Sequence, residues 1–129
     1  MPNLLKTFRI GDVEIDFPVI LAPLAGYSDL PFRQVCRNLG APFCATEMIL
    51  DRCLLVKPNK PQYISRTDDE DHPLAGQIIG NEPETMAAAA ELLDRRGFDV
   101  IDLTFACPVR KALRRRRGGV RMGHPALVI

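Results

Sequence analysis

Several features that assign a chain to a common class are missing from this sequence of 129 residues. It contains no apolar run of the roughly 18 residues that a transmembrane helix needs, and its opening residues lack the long apolar region of a signal peptide. Apolar residues make up 47% of the chain and charged residues 26%, which is the composition of a globular protein rather than a disordered one. We therefore expect a cytoplasmic protein with no membrane partner.

Cysteine and histidine are poorly placed for cross-linking or metal binding. The four cysteines are spread along the chain without a C-x-x-C pair: Cys36, Cys44, Cys53 and Cys107. Without a secretory signal, this pattern argues against a disulfide framework. Only His72 and His124 could add imidazole ligands, so a zinc site would need widely scattered residues and we expect no metal site.

Positive and negative charges nearly balance, with a net charge of +1, but they are unevenly distributed. Acidic residues concentrate at positions 68–71, and basic residues concentrate at Arg110, Lys111, positions 114–117 and Arg121. A basic block of this density binds phosphate backbones in some proteins and is a solvated surface in others. Charge alone favours the solvated surface, so a nucleic-acid partner needs support from the surrounding residues.

The first part of the chain alternates between strand and helix signals. Residues 8–15 predict a tight hairpin, and the apolar run 17–22 predicts a strand buried on both faces. Ser28 or Asp29 can cap a following helix, and residues 43–46 form a second short buried strand. The apolar side chains of that helix share one face, which is typical of packing on a core: Phe32, Val35, Cys36 and Leu39.

The alternation continues with two further strands, at residues 74–79 and 98–103, separated by a helix that begins near residues 81–84. Residues 48–56 predict a short helix, and residues 57–71 an irregular connection. Strands that alternate with helices predict an α/β fold with a parallel sheet. The Rossmann and Walker glycine motifs are absent, which favours a barrel. Four βα units are half of a TIM (β/α)8 barrel of about 250 residues, so we expect a truncated chain or one that pairs with another half.

Cys107 is the candidate catalytic residue, because it lies in the loop after the fourth strand and precedes a proline. Groups at the carboxyl ends of parallel strands are the ones that meet ligands, although a buried structural cysteine is an equally good interpretation of position alone. Gln77 interrupts an apolar strand and needs hydrogen-bond partners, from a ligand or from the core. Glu47 ends the second strand, where an ion pair is the simpler role. Residues 23–26 have small side chains that allow a flat ligand to approach, or form a simple turn.

Two segments contain short motifs in a definite order. The stretch from Leu21 to Ile49 contains APLAG, DLPFR and TEM, and the stretch from Gly76 to Gly119 contains QIIGNEP and DLTFACPVRK. The first set resembles the A-P-M-A-G, D-x-P-F-R and T-E-M motifs of the tRNA-dihydrouridine synthase family, and the second set resembles its Q-I-x-G-x-x-P and D-I-N-x-G-C-P-x-x-K motifs. The ordered matches cover most of residues 18–119.

The resemblance implies a TIM barrel with a C-terminal helical domain that binds FMN, takes reducing equivalents from NADPH and reduces uridine in tRNA to 5,6-dihydrouridine. It assigns Cys107 as the general acid that protonates C5 of the uracil. A cysteine thiol, with an ordinary pKa of about 8.5, is largely protonated at neutral pH. Arg110 and Lys111 are implied contacts to tRNA. The implied flavin-binding residues are Pro23, Leu24, Ala25, Gln77 and Thr104.

The sequence also departs from the family's pattern. Thr104 replaces an asparagine that would contact flavin and substrate, and Ala106 replaces a glycine. We expect residues 1–119 to be the N-terminal half of the barrel and residues 120–129 an aberrant or truncated tail, with the fragment possessing little activity alone. Two alternatives stay open: another FMN barrel oxidoreductase, similar to dihydroorotate dehydrogenase, and a non-catalytic remnant or interaction module.

Overall fold

A two-stranded hairpin opens the described part of the chain, which comprises residues 6–56 and 63–123 of the computed structural model. Strand β1 (Phe8–Ile10) pairs antiparallel with β2 (Val13–Ile15). The turn between them contains Gly11, whose φ of +56° lies in the left-handed region that glycine adopts without strain. The predicted hairpin is confirmed.

The central sheet is parallel and is built around one fully buried strand. Every position of that strand is buried, including Gln77 among its apolar and small residues, as expected for a strand covered on both faces. The register places β3 and β4 in succession along one edge of β5 and places β6 along its other edge. The strands are β3 (Cys44–Ala45), β4 (Ile49–Leu50), β5 (Leu74–Ile79) and β6 (Val100–Leu103).

The predicted strand at residues 17–22 is mostly wrong. Leu21 alone forms a parallel bridge, to Cys44, with its N–H donating to the Phe43 carbonyl at 2.9 Å. Phe17, Val19 and Ile20 are exposed. The apolar run has the pattern of a buried strand. Among the described residues, however, no strand pairs with it on the side opposite Cys44, and a buried strand needs hydrogen-bonded neighbours on both sides.

The described residues form four helices and two 3-10 turns, of which α4 and the second 3-10 turn follow the last strand. Asp29 caps α1, its carboxylate accepting the Phe32 N–H at 3.0 Å, as the sequence predicts. Of the described helices, none is long and apolar enough to cross a membrane. The helices are α1 (Leu30–Asn38), α2 (Asp51–Val56), α3 (Pro83–Asp94) and α4 (Arg110–Leu113), and the 3-10 turns are Tyr63–Ser65 and Gly118–Gly123.

Helix α1 does not bury its apolar face, contrary to prediction. Phe32, Val35 and Leu39 are 38%, 56% and 83% exposed, whereas Arg33 is fully buried. The Arg33 guanidinium forms an ion pair with the fully buried Asp71 at 2.7 Å. The side of α1 that faces the protein is therefore polar, because it packs on the loop that carries Asp71 rather than on an apolar element.

Two apolar clusters cover the two faces of the sheet. Leu74 and Ala75 are neighbours on β5 but belong to different clusters, because successive side chains of a strand point to opposite faces. The smaller cluster lies with the hairpin and comprises Ile15, Phe43, Ala45 and Ala75. The larger one joins the sheet to α2 and α3 and comprises Cys44, Ile49, Leu54, Leu74, Ile78, Ala89, Leu92, Leu93 and Phe98.

The parallel segments follow one another across the sheet in chain order. The bridge at Leu21 adjoins β3, β3 and β4 adjoin β5, and β5 adjoins β6. This order is that of a mixed α/β protein with a singly wound parallel sheet, and within the described residues the sheet is open. The carboxyl ends of β4, β5 and β6 consequently lie together along one edge, the carboxyl edge of the sheet, whereas β3 ends beside Ala75, near the start of β5.

Candidate functional site

A cavity of about 400 Å³ opens at the carboxyl edge of the sheet. Its wall combines a thiol, several apolar side chains and three basic side chains. This is the mixture expected of a ligand site, in which apolar surface surrounds a few polar groups. The lining residues are Ala25, Met48, Leu50, Ile79, Cys107, Val109, Lys111, Ala112, Arg115 and Arg117.

The cavity brings together three of the residues singled out in the sequence. Ala25 comes from the loop after the first strand segment, Cys107 from the loop after β6, and Lys111 from α4. Pro23, Leu24, Gln77, Thr104 and Arg110 are not part of its wall. Across the described residues, no three histidine, cysteine, aspartate or glutamate side chains are grouped to hold a metal.

Cys107 is half-buried. Its carbonyl accepts the Gly119 N–H at 3.1 Å, so the chain after α4 returns to the cysteine loop. Ala106, which stands where the resembling family has glycine, adopts ordinary backbone geometry, since Arg116 is the non-glycine residue with positive φ in the described chain. The alanine is therefore tolerated without strain.

Gln77 is paired with a side chain that the sequence analysis missed. Its Nε2 donates to Asp102 Oδ2 at 2.6 Å, and its backbone N–H donates to Thr46 Oγ1 at 3.1 Å. Gln77 and Asp102 are register partners on β5 and β6. Each interrupts an apolar strand, so matching the two interruptions would have predicted the pair. Within the described chain, Oε1 of Gln77 has no protein partner.

Two hydrogen bonds fix the loop of residues 24–28 at this edge. The Leu24 N–H donates to Ser28 Oγ at 2.9 Å, and the Gly26 N–H donates to Glu47 Oε2 at 2.5 Å. Gly26 has a φ of +82°, so the turn needs glycine. Glu47 therefore binds a backbone amide instead of forming the ion pair expected from sequence. Thr104 extends the β6 ladder, its N–H donating to the Ile78 carbonyl at 3.0 Å.

A tyrosine and an aspartate are hydrogen-bonded next to the loop of residues 24–28. The Tyr63 hydroxyl donates to Asp29 Oδ2 at 2.5 Å, and the Arg66 guanidinium lies 5.5 Å from the Tyr63 ring centre. The Tyr63 hydrogen bond, followed by that from the Phe32 N–H, holds the pKa of Asp29 below its usual value. The same bond raises the pKa of Tyr63, because it stabilises the protonated phenol.

Replacing Tyr63 with phenylalanine should raise the pKa of Asp29 toward its usual value. A depressed carboxyl pKa gives stability above the unfolded pKa of about 3.9, and that stability is lost as pH falls through the folded pKa. Tyr63→Phe should therefore lose less stability than the parent chain as the pH falls through the acidic range. Carbon NMR titration of the Asp29 carboxyl measures the shift, with the exposed Tyr27→Phe as control. An unchanged Asp29 titration would contradict the assignment.

The basic segment, residues 110–121, lies beside the cavity. Arg110, Lys111 and residues 114–116 are exposed, and among the described ion pairs none involves this segment. Arg117 differs, because it is 9% exposed and its Nε donates to Asn81 Oδ1 at 3.4 Å. The segment thus presents uncompensated positive charge while remaining anchored to the loop after β5.

These features define an α/β protein with a cavity at the carboxyl edge of a parallel sheet, where a thiol and basic side chains meet. The family model described as "Dihydrouridine synthase (Dus)" matches residues 20–129. The chain belongs to the dihydrouridine synthase family. The matched range runs through residue 129 and so includes the positions after Gly119.

Named relatives are similar over nearly the whole of this chain. It is 36% identical to "tRNA-dihydrouridine synthase B" of Pseudomonas aeruginosa over 124 residues, which is 96% of this chain and 37% of that protein. It is 35% identical to the protein of that name from Yersinia pestis over 120 residues, 93% of this chain and 37% of the relative. A "Probable tRNA-dihydrouridine synthase" of Rickettsia bellii is 34% identical over 88% of this chain and 35% of its own length. The chain spans about a third of these relatives.

Proposed function

We propose that this chain supplies part of the catalytic site of an FMN-dependent enzyme that reduces uridine in tRNA to 5,6-dihydrouridine, with NADPH as the reductant. One observation carries the proposal: Cys107 lines the carboxyl-edge cavity together with Lys111 of the basic segment. A proton donor and a site for a polyanion are thus adjacent, as reduction of a base within tRNA requires. Family membership and the names of the relatives support the same reaction.

The residues at the cavity fit a flat, partly apolar cofactor. Met48, Leu50 and Ile79 provide an apolar wall. Gln77 on β5 lies outside this wall, and in the proposal its Oε1 accepts a hydrogen bond from the part of the ring that extends past the cavity. We propose that Pro23, Leu24, Ala25, Gln77 and Thr104 hold FMN. When bound, the flavin supplies the hydride to C6 of the uracil, chemistry that no side chain of the chain can provide.

Cys107 acts as the general acid. Its thiol gives its proton to C5 of the uracil, and its loop is held by the Gly119 N–H, which keeps the donor at the cavity wall. The uracil must leave its stack in the RNA to reach this cavity. The exposed Arg110 and Lys111 bind the phosphate backbone close to the uridine, so that the base and the thiol meet.

The singly wound sheet supports the same assignment at the level of the fold. We propose that residues 1–119 form the first four βα units of a TIM (β/α)8 barrel, because neighbouring strands follow chain order and catalytic groups of such barrels lie at the carboxyl face. The prediction that residues 120–129 are a tail stays untested, because positions 124–129 lie outside the described residues, and the family match includes all ten positions.

Removing two charges from α4 should weaken tRNA binding in a salt-dependent manner. In Arg110→Ala/Lys111→Ala, we expect the slope of log Kd against log salt concentration to fall by about 2, because each lost phosphate contact removes roughly 0.9 of the slope on a duplex. Fluorescence anisotropy with labelled tRNA at several salt concentrations gives the Kd values from which this slope is measured.

The matched control for this variant removes the same charge elsewhere. Arg9 and Arg95 are exposed and each pairs with a glutamate, so Arg9→Ala/Arg95→Ala lowers the net charge equally without touching the cavity. We expect its slope to equal that of the parent chain. Equal slopes in both double variants would remove the basic segment from the tRNA-binding surface.

The reaction itself is tested in a bacterial strain that lacks its own dihydrouridine synthases. The chain is expressed alone, and also together with the portion of the Pseudomonas aeruginosa relative that it does not span. We expect dihydrouridine in digested tRNA by mass spectrometry, with the larger amount in the co-expressing strain. Absence of dihydrouridine from both strains, while the complete relative restores it, would overturn the proposed reaction.

A further inference from the structure

The turn after α4 folds back onto Cys107 in an uncommon backbone conformation. Arg116 has a φ of +54° and Gly118 a φ of +59°. The Arg117 N–H returns to the Ala112 carbonyl at 3.0 Å, which closes the end of α4, and the Gly119 N–H reaches the Cys107 carbonyl at 3.1 Å. Two left-handed positions, on either side of Arg117, therefore direct the chain against the cysteine.

The contact at Gly118 leaves no room for a side chain. A Cβ atom built there would lie 2.6 Å from the Cys107 carbonyl oxygen, 2.8 Å from its Cβ and 3.2 Å from its Cα. Atoms of the backbone and of Cβ cannot move aside as the end of a flexible side chain can. Gly118 is also buried, so the turn packs against the cysteine on the side away from solvent.

The turn is fixed at a second point. Arg117, which adjoins Gly118, reaches Asn81 Oδ1 through its Nε, and Arg121 donates to the Asn81 carbonyl. Asn81 follows β5, whereas Cys107 follows β6. The turn thus connects the loops after two adjacent strands, which restricts its movement relative to the cavity.

We propose that Gly118 is a positioning residue for Cys107: its bare Cα packs against the Cys107 backbone and Cβ and sets the orientation from which the thiol enters the cavity. The consequence for catalysis rests on the proposed function, whereas the effect on the thiol does not. Gly118 touches neither substrate nor cofactor in this role and acts through Cys107 alone.

The neighbouring glycine provides a matched control. A Cβ at Gly119 would lie 3.5 Å from the Cys107 carbonyl oxygen and 3.6 Å from Leu113 Cδ2, which are ordinary contacts. Gly119→Ala keeps the N–H that donates to Cys107. The same methyl group is therefore added one residue away, in a place that accommodates it.

The test measures alkylation of Cys107 by iodoacetamide in the whole chain, read by peptide mass spectrometry between pH 6 and 10. We expect Gly118→Ala to raise the Cys107 rate constant about fivefold or more, since a displaced loop exposes the thiol. Gly119→Ala should stay within about twofold of the parent. The rate at Cys53, exposed on α2, serves as the internal reference. Equal Cys107 rates in the two variants would overturn the proposal.

Two further variants keep the result interpretable if Gly118→Ala unfolds. Gly118→Asn tolerates positive φ better but still carries the colliding Cβ, and Asn81→Ala removes an anchor without adding an atom. Both should change the Cys107 rate in the same direction, and an unchanged rate in both would also overturn the proposal.

A second readout separates this inference from the proposed reaction. In the co-expressing strain, Gly118→Ala should lower the rate of dihydrouridine formation about 100-fold, because small displacements of a reacting group have effects of that size. If no parent activity is found but the alkylation result holds, the proposed reaction fails and the positioning role stands. If the parent is active and both glycine variants equal it in the Cys107 alkylation rate and in the rate of dihydrouridine formation, the positioning role is wrong and the proposed reaction stands.

Discussion

Cys107→Ala is expected to lower the rate of dihydrouridine formation about 100-fold or more, because a positioned general acid contributes a factor of 10² to 10⁴. Flavin affinity should change by less than about twofold, since Cys107 is not among the residues proposed to hold the ring and, of those residues, Thr104 alone shares its loop. The rate is measured by mass spectrometry of digested tRNA from timed reactions, using the co-expressed pair, and the flavin affinity by fluorescence.

Two comparisons make this result specific. Cys53→Ala removes an exposed cysteine on α2 and should leave the rate unchanged, which controls for the loss of a thiol as such. Cys107→Ser retains an ionisable proton on a poorer acid and should fall between the parent and Cys107→Ala. A Cys107→Ala rate within about twofold of the parent would remove the thiol from the reaction.

Arg33→Ala is expected to destabilise the fold by about 3–5 kcal/mol, the range for breaking a buried ion pair. Arg33 and Asp71 are fully buried, and removing the guanidinium leaves the carboxylate with the more distant Arg37, at 3.6 Å. The change also removes hydrogen bonds to the carbonyls of Ser28 and Arg66. Urea denaturation followed by circular dichroism measures the free energy of unfolding.

The matched control for the buried pair is an exposed one. Arg9 and Glu14 lie 3.0 Å apart across the hairpin with both side chains more than half exposed, and such pairs contribute about 0–1 kcal/mol. Arg9→Ala should therefore leave the free energy of unfolding nearly unchanged. If Arg33→Ala lowered the free energy of unfolding no more than Arg9→Ala does, the buried ion pair would not be what stabilises the packing of α1.

Elements with local determinants could be predicted from the sequence. The hairpin is fixed by a glycine turn between short apolar runs, β5 by an apolar run of the right length, and α1 by an aspartate cap that the structure places at Asp29. The helix after β5 also begins where predicted, at Pro83. In each case the signal lies within a few residues of the feature that it determines.

Burial could not be predicted where it depends on partners distant in sequence. The apolar residues of α1 lie on one helical face, yet Arg33 is the side chain inside, because its partner Asp71 is 38 residues away along the chain. The run 17–22 has the composition of a buried strand, but a ladder also needs neighbours. A hydrophobic period identifies a face without identifying what covers it.

The candidate site was partly predictable for the same reasons. Cys107 is predicted because it follows a strand end, Ala25 from its small-residue segment and the family resemblance, and Lys111 from the basic block and the same resemblance. These three residues meet in one cavity. Asp102 and the Gly118 contact were missed, since both involve pairing across loops or strands. Gln77 was correctly expected to need a partner, but the sequence left open which group provides it.

The central claim is that tRNA meets Cys107 at the carboxyl-edge cavity, and protection of the thiol tests it most directly. The chain is alkylated with iodoacetamide in the presence and absence of saturating tRNA, and each cysteine is quantified by peptide mass spectrometry. We predict that tRNA slows modification of Cys107 about fivefold or more and leaves Cys53 unchanged. Unaltered modification of Cys107 with tRNA demonstrably bound would contradict the account.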